Sequence, residues 1–462
     1  MYKAMFVLCV ALNGASDAQP TKIYPDLTGD CVIDMFDVMA VSSSPTDPRS
    51  DVNFDGVVDM LDVDLVVQNV GTARKFKTHW GVWTIAPMTP WNYPMSNHVP
   101  LTGTKVSTNF AFLHQGAGLI PESLHEMFWT DLNLNGVIDS KECDNWQATL
   151  SAWLTTHNLF ATQAIEAMVP VNIPPQLTFF TIFDYEKWEP VWEANQDPEG
   201  DDFHRTMWTA CVKDIHMPLF DTAFLGEVGY TPPVGAKKWN DLPLTQKEIL
   251  LKKSWDFYAR LVYQCTIDEF RQLRPQSRYK LGFHNTPARC GGKTCPVERL
   301  AWNDQMAWLW PQIDVLCPSL YAAWWIEDGT TPDPCIMSFK GVKYTADVIA
   351  GNLAECWRVR DKYTTGAAVL PVLTWSHTGR AAGGSTATAQ CKEAAQDAIV
   401  STTSAYFYLW ICKMYGSDGA IIWGTLRDET LNDPYLKRQD PLIVAPHLEA
   451  NWFPLINDIT CN

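Results

Sequence analysis

The sequence predicts an α/β fold, a TIM-like (β/α) barrel preceded by a small α-helical module. Three observations predict it. From about Arg74 onward, short β-prone apolar runs alternate with stretches of helical period, the pattern of βα units closing a parallel sheet. Several of the runs end in polar or aromatic residues, where a parallel barrel gathers its functional groups. The chain has 462 residues, 47% of them hydrophobic, enough for one large domain and a small one beside it.

The first element is an expected export signal, residues 1–18. Lys3 precedes an apolar run over 4–12, and small residues over 14–18 offer cleavage before Gln19. The run is too short to span a bilayer as a permanent helix, and no other stretch reads as a transmembrane anchor, so a secreted or periplasmic/extracellular location is expected. Of 13 cysteines, Cys9 falls in this signal, leaving an even number. Export makes disulfides plausible. Cys290 and Cys295, five residues apart, are the expected local bridge, and Cys317 reads as a buried thiol.

Residues 19–73 form the small module. Asp26, Thr28, Asp30, Val32, Asp34 and Asp37 occupy positions 1, 3, 5, 7, 9 and 12 of a loop; Asp51, Asn53, Asp55, Val57, Asp59 and Asp62 repeat the spacing. A hard cation needs several oxygens converging from one tight turn, and this is calcium-loop spacing, with position 7 contributing its carbonyl. Apolar stretches follow each loop (38–41 and 63–67). Two such repeats ending in Asp resemble a dockerin, the calcium-dependent module that docks onto a cohesin, which implies a cohesin-like scaffold partner. The first loop departs from the pattern: Cys31 stands where the turn glycine belongs, and Thr28 is a weak ligand.

A third loop, an EF-hand match inside the large domain at 131–142, places Asp131, Asn133, Asn135, Val137, Asp139 and Glu142 at the same positions. Calcium is thus expected at two to three structural sites, with no catalytic cofactor. The net charge of −17 argues against nucleic acid as a partner, and an anionic substrate would need a locally basic cleft.

The barrel domain, 74–462, has candidate strands at 76–84, 106–112, 177–184, 279–284, 315–321, 367–375 and 419–423. Helices are expected at 244–273, 298–310, 344–361 and 387–414. The clearest, 244–273, carries Leu251, Trp255, Tyr258, Val262, Cys265 and Phe270 on one stripe before Pro275. The run Phe179 to Phe183 ends in two carboxylates, Asp184 and Glu186. Residues i and i+2 of a strand share a face, roughly 6–7 Å apart. Neighbouring carboxylates repel, so one can hold its proton and act as an acid. His284, Tyr321, Trp375 and Trp423 end other strands. Arg205, Arg289, Lys293, Arg380 and Arg427 follow strand ends and could meet carboxylate or sulfate.

Five ordered segments resemble the hyaluronidases, glycoside hydrolase family 56. They are Phe76 to Thr84; Ile182 to Pro190 with Trp192 and Asn195; Arg274-Pro275 then Gly282; Asn303 to Leu309 leading to Pro318 to Tyr321; and Ser417 to Gly424. The resemblance implies a seven-stranded barrel and a retaining endo-hydrolysis in which the sugar's own N-acetyl oxygen attacks the anomeric carbon, an exception to the two-carboxylate scheme. It implies Glu186 as acid then base, Asp184 as the group orienting the acetamide, Tyr321 as its hydrogen-bonding neighbour, and Trp423 as a wall of the sugar pocket. Trp375, Arg289 and Arg427 are further substrate-binding candidates. His284 falls where the family carries a site tyrosine, so it can bind sugar or sulfate or mark a changed reaction. The expected activity is hydrolysis of a glycosaminoglycan-like polymer of hyaluronan, chondroitin or dermatan type. The alternatives are a glycosidase on another acidic polysaccharide sharing only the acid pair, and a non-catalytic glycan-binding component of a scaffold.

Overall fold

The computed structural model describes residues 23–45, 47–53, 57–73, 75–85, 92–94, 107, 109–114, 161–185, 188–195, 203–217, 220–290, 294–320, 341–364, 366–374, 402–427 and 452–460. The expected signal and the whole 131–142 loop lie outside them.

Nine strands are found among the described residues: β1 (Lys77–Ile85), β2 (Asn92–Pro94), β3 (Phe110–His114), β4 (Phe179–Asp184), β5 (Tyr279–His284), β6 (Val315–Cys317), β7 (Ala368–Val369), β8 (Val372–Thr374) and β9 (Gly419–Arg427). They form two sheets, ordered β2-β1-β9-β8 and β3-β4-β5-β6-β7. Every pairing is parallel except that of the short β2 with β1. Parallel bridges join the sheets at both seams, His79 to Ser107 and Ser319 to Val372. The result is a barrel of βα units.

The sequence divides this barrel almost as the chain does. The main difference is the expected strand 367–375, which the structure splits into β7, paired with β6, and β8, paired with β9. Leu370 and Pro371 lie between. Proline has no N–H for a ladder, and here the strand changes partner: Leu370 N donates to Leu316 O (2.9 Å), while Pro371 O accepts from Ile421 N (2.9 Å). Pro318 likewise follows the last residue of β6, short of the expected Tyr321. β9 runs on past Trp423 to Arg427.

Side chains alternate between two apolar layers. Phe110, Phe112, Ile182, Val315, Cys317, Leu370, Val372 and Ile421 fill the barrel interior. Gly282 belongs to this face. A Cβ there would lie 2.8 Å from Val315 Cβ and 2.9 Å from the end of Ile182, so strands β4, β5 and β6 meet only around a glycine. The opposite faces of β4 and β5 pack outward. Phe183 meets Phe270 edge-on, and Phe283 meets Tyr263 with ring centroids 4.4 Å apart. Both partners sit on α3 (Leu244–Leu273), whose ends match the expectation. Pro243 precedes it, and Pro275 stands two residues past its end. Its buried stripe differs in one place. Cys265 is only half-buried, and Thr266 is buried instead, sharing a 2.7 Å hydrogen bond with Tyr185 Oη.

The N-terminal loops lead into α1 (Met35–Ser43) and α2 (Met60–Asn69). Asp34 and Asp59 cap them, with Asp37 and Asp62 completing reciprocal capping boxes. Leu27, Ile33, Val41, Val52 and Val66 belong to the same apolar cluster as the strand–helix layer of the barrel. Cys290 and Cys295 are bonded as expected. Cys31 is also disulfide-bonded, its partner lying outside the described residues. Cys317 is a buried free thiol. No helix among the described residues is long and apolar enough to cross a membrane.

Candidate active site

The register of the ladder sets the site. His114 pairs with Asp184, and His284 with Cys317, so the C-terminal residues of β3, β4, β5 and β6 form one rank across the barrel mouth. Asp184 is fully buried, and His284 Nδ1 lies 2.9 Å from its Oδ1. A buried carboxylate needs such a partner, since burial penalises its charge heavily. The Phe112 ring stands edge-on to His284 at 5.6 Å and tilts against half-buried Trp423, also at 5.6 Å. Carboxylate, imidazole and indole thus share the mouth of one lumen. Cys317 lies in the same rank, and burial, then the charge of Asp184, pushes its thiol pKa well up. It stays a thiol.

The turn after β5 is tightly held. Asn285 adopts a left-handed φ of 56°, a conformation asparagine tolerates better than most residues. Cys317 N donates to Thr286 O at 2.6 Å. Asn303 and Asn352 accept from the Ala288 and Cys290 amides, pinning this segment to α4 (Val297–Gln305) and α5 (Gly341–Tyr363). Arg289 is half-buried within it.

A second carboxyl joins the described site, which sequence reasoning missed. Glu189 Oε1 accepts from Asn285 Nδ2 at 2.7 Å, linking the segment after β4 to the residue beside His284. Burial raises its pKa, opposed by Arg299, by the Asn285 hydrogen bond and by His284. Its backbone is fixed by Asn195, whose side chain both accepts from Glu189 N (2.8 Å) and donates to Glu189 O (2.9 Å), and by the Trp255 indole. The available signal was the spacing, five residues beyond Asp184 within the segment already singled out.

The structure therefore brings together Asp184, His284 and Trp423. Glu186, Tyr321, Trp375, Lys293 and Arg380 lie outside the described residues. Arg427 closes β9, but its side chain is outside them too. Arg205 is engaged elsewhere: it pairs with Glu248 at 2.6 Å and lies over the Trp192 ring. In the N-terminal module, the described loop residues are Asp26, Thr28, Asp30, Val32, Asp34, Asp37, Asp51, Asn53, Val57, Asp59 and Asp62; Asp55 is not among them. No group of three or more His, Cys, Asp or Glu placed to hold a metal ion occurs among the described residues.

No protein-family model matches the chain. Among curated proteins it is similar to the hyaluronidase of Apis mellifera, 24% identical over 196 residues, which is 41% of this chain and 43% of that one. It is 27% identical to Homo sapiens Hyaluronidase-1 over 180 residues, 37% of this chain and 34% of that one. Rattus norvegicus Hyaluronidase-2 is 24% identical over 273 residues, 59% and 47% of the two chains. The chain thus spans less than half the length of these relatives. Among solved structures it superposes on bee venom hyaluronidase with a TM-score of 0.51 at 15% identity, covering 83% of this chain and all of that one. For the same enzyme in complex with a hyaluronic acid tetramer the TM-score is 0.52 at 17% identity, covering 83% and 99%. The protein is similar in sequence to the hyaluronidases and has the barrel fold of the bee venom enzyme.

Proposed function

We propose that this protein is a secreted glycoside hydrolase that cleaves a glycosaminoglycan-like polysaccharide within the chain. The observation that carries this reading is the buried Asp184 at the mouth of β4, in a barrel that superposes on one crystallised with a hyaluronic acid tetramer. In this reading Glu186, two residues beyond Asp184, protonates the leaving glycosidic oxygen and then takes a proton from water. Asp184 orients the acetamido group, whose oxygen attacks the anomeric carbon, so configuration is retained. Tyr321 assists at the acetamide, and Trp423 forms a wall of the sugar pocket.

The test is reducing-end release from hyaluronan, chondroitin and dermatan, with and without sulfate. Glu186→Gln is expected to lose turnover by about 10²–10⁴-fold or more while still binding polymer, because the amide cannot donate the proton. A variant that keeps the wild-type rate would remove Glu186 from the role.

The Asp184–His284 contact favours a second reading, hydrolysis of a different acidic polysaccharide. Asp184 Oδ1 faces an imidazole, so acetamide and histidine compete for one carboxylate. An inverted first product, or cleavage beside a sugar without nitrogen, would decide for it.

Calcium is proposed for the loops at 51–62 and 131–142. A cohesin-like partner is proposed for the N-terminal module. What supports it is a repeated apolar surface: Met35 and Phe36 at the start of α1 are 61% and 66% exposed, and Met60 and Leu61 at the start of α2 are 67% and 59% exposed.

A further inference from the structure

We infer that the Lys413 ammonium is the resident cation of the first N-terminal loop, fastening the module to the barrel where the loop's spacing would otherwise call for a metal ion. Lys413 lies in the last turn of α6 (Thr402–Met414). Its Nζ is 2.7 Å from Asp26 Oδ2, and the two side chains are 6% and 5% exposed. Asp26 is position 1 of that loop.

The loop's other polar contacts are local. Asp26 Oδ1 accepts from Gly29 N at 2.8 Å and from the Thr28 hydroxyl at 3.4 Å, and Oδ2 also accepts from Cys31 N at 2.8 Å. Asp37, at position 12, accepts from Thr28 N (2.9 Å) and Asp34 N (2.8 Å). Asp30 and Asp34 cap the amides of Val32 and Phe36. The Asp34 and Asp37 hydrogen bonds recur at Asp59 and Asp62 of the second loop; what sets the first loop apart is the Lys413 ammonium on Asp26 Oδ2. Cys31 keeps the left-handed turn, φ 75°, that this position requires. Its Sγ lies 3.8 Å from Lys413 Nζ. Beside the pair, Tyr24 N donates to Met414 O at 2.6 Å.

A fixed ammonium and a divalent ion on one buried carboxylate repel each other strongly where water is excluded. The lysine is covalently present, so it holds the carboxylate at any free calcium concentration. The module's attachment is then calcium-independent, and only its second loop answers to the ion. This stands apart from the glycosidase reading and survives its failure.

The experiment counts bound calcium on the full chain by native mass spectrometry. Asp26→Asn is expected to carry as many ions as wild type, whereas Asp51→Asn carries one fewer. A folded Asp26→Asn protein that has lost one ion overturns the inference. A second measurement needs no variant. Amine acetylation of the wild-type chain should leave Lys413 protected equally in calcium and in chelator. Labelling of Lys413 that rises on adding calcium would mean that the ion displaces it, and the inference fails.

Discussion

Asp184 and His284 show why a site must be read as pairs. Both are almost wholly enclosed, at 0% and 3% side-chain exposure, and 2.9 Å apart. Removing one partner of such a pair strands the other, at a cost of about 3–5 kcal/mol, whereas removing both costs less. His284→Ala should therefore unfold at markedly lower urea concentration, and Asp184→Asn in the same chain should recover part of the loss. Additive effects in that double-mutant cycle would show the two side chains to be uncoupled. Glu189 invites a finer comparison. Glu189→Gln keeps an oxygen for Asn285 and should stay within a few-fold of wild-type kcat. Glu189→Ala leaves the Asn285 amide without that acceptor, a loss of about 1–3 kcal/mol, and should lower kcat at least tenfold with little change in KM. Equal rates for the two variants would make the hydrogen bond irrelevant. Asp184 was legible in the sequence as the polar end of an apolar run. Its pairing with His284 was not, because it depends on the register of two strands about a hundred residues apart. Glu189 is not singled out by the sequence, because a glutamate next to Pro190 and two residues past Lys187 looks like the solvated start of a helix.

At the scale of elements, the punctuation of the chain decided what could be read. β5 was legible residue for residue, and α3 was bounded by Pro243 and Pro275. The expected strand at 367–375 hid its break, since an apolar run containing one proline looks continuous until its ladder partners are known. Gly282 is the opposite case: in sequence it marks one of the matched segments without showing why, and in the structure it is the point where β4, β5 and β6 crowd together. Gly282→Ala puts a methyl within 3 Å of Val315 and Ile182. Overpacking of this kind costs about 1–3 kcal/mol. The expected result is a lower denaturation midpoint together with weakened activity, because His284 is carried two residues further along the same strand. Unchanged midpoint and rate would mean that the barrel widens there without strain.

For the whole molecule, the lumen sets a dependence on pH. His79 projects from β1 into the barrel, edge-on to Phe180 at 5.0 Å. Burial, helped by Lys77, lowers its pKa to about 3. Unfolded, the same ring takes up a proton near its ordinary value of about 6.5. As pH falls from that value towards 3, the unfolded chain gains a proton the folded chain refuses, so stability declines, by roughly 1.4 kcal/mol per pH unit at most from this group. His79→Leu should remove that contribution. The difference in melting temperature between variant and wild type should move in the variant's favour between neutral pH and about pH 4. A difference that stays constant across the range would mean that His79 is protonated in the fold.

Among the described residues the longest ladder, nine residues, joins β1 to β9, the first and last of the described strands. A ribosome releases β1 long before its partner exists. Until β9 emerges, β1 offers an unpaired parallel edge, and closure of so distant a contact is slow. The order of synthesis thus leaves the barrel open through most of its production. A chain interrupted before Gly419 would retain all but one of the described helices and the Asp184–His284 pair, yet lose Trp423 and expose the β1 and β8 edges between which β9 belongs. Late chain termination is therefore expected to promote aggregation through those unpaired edges.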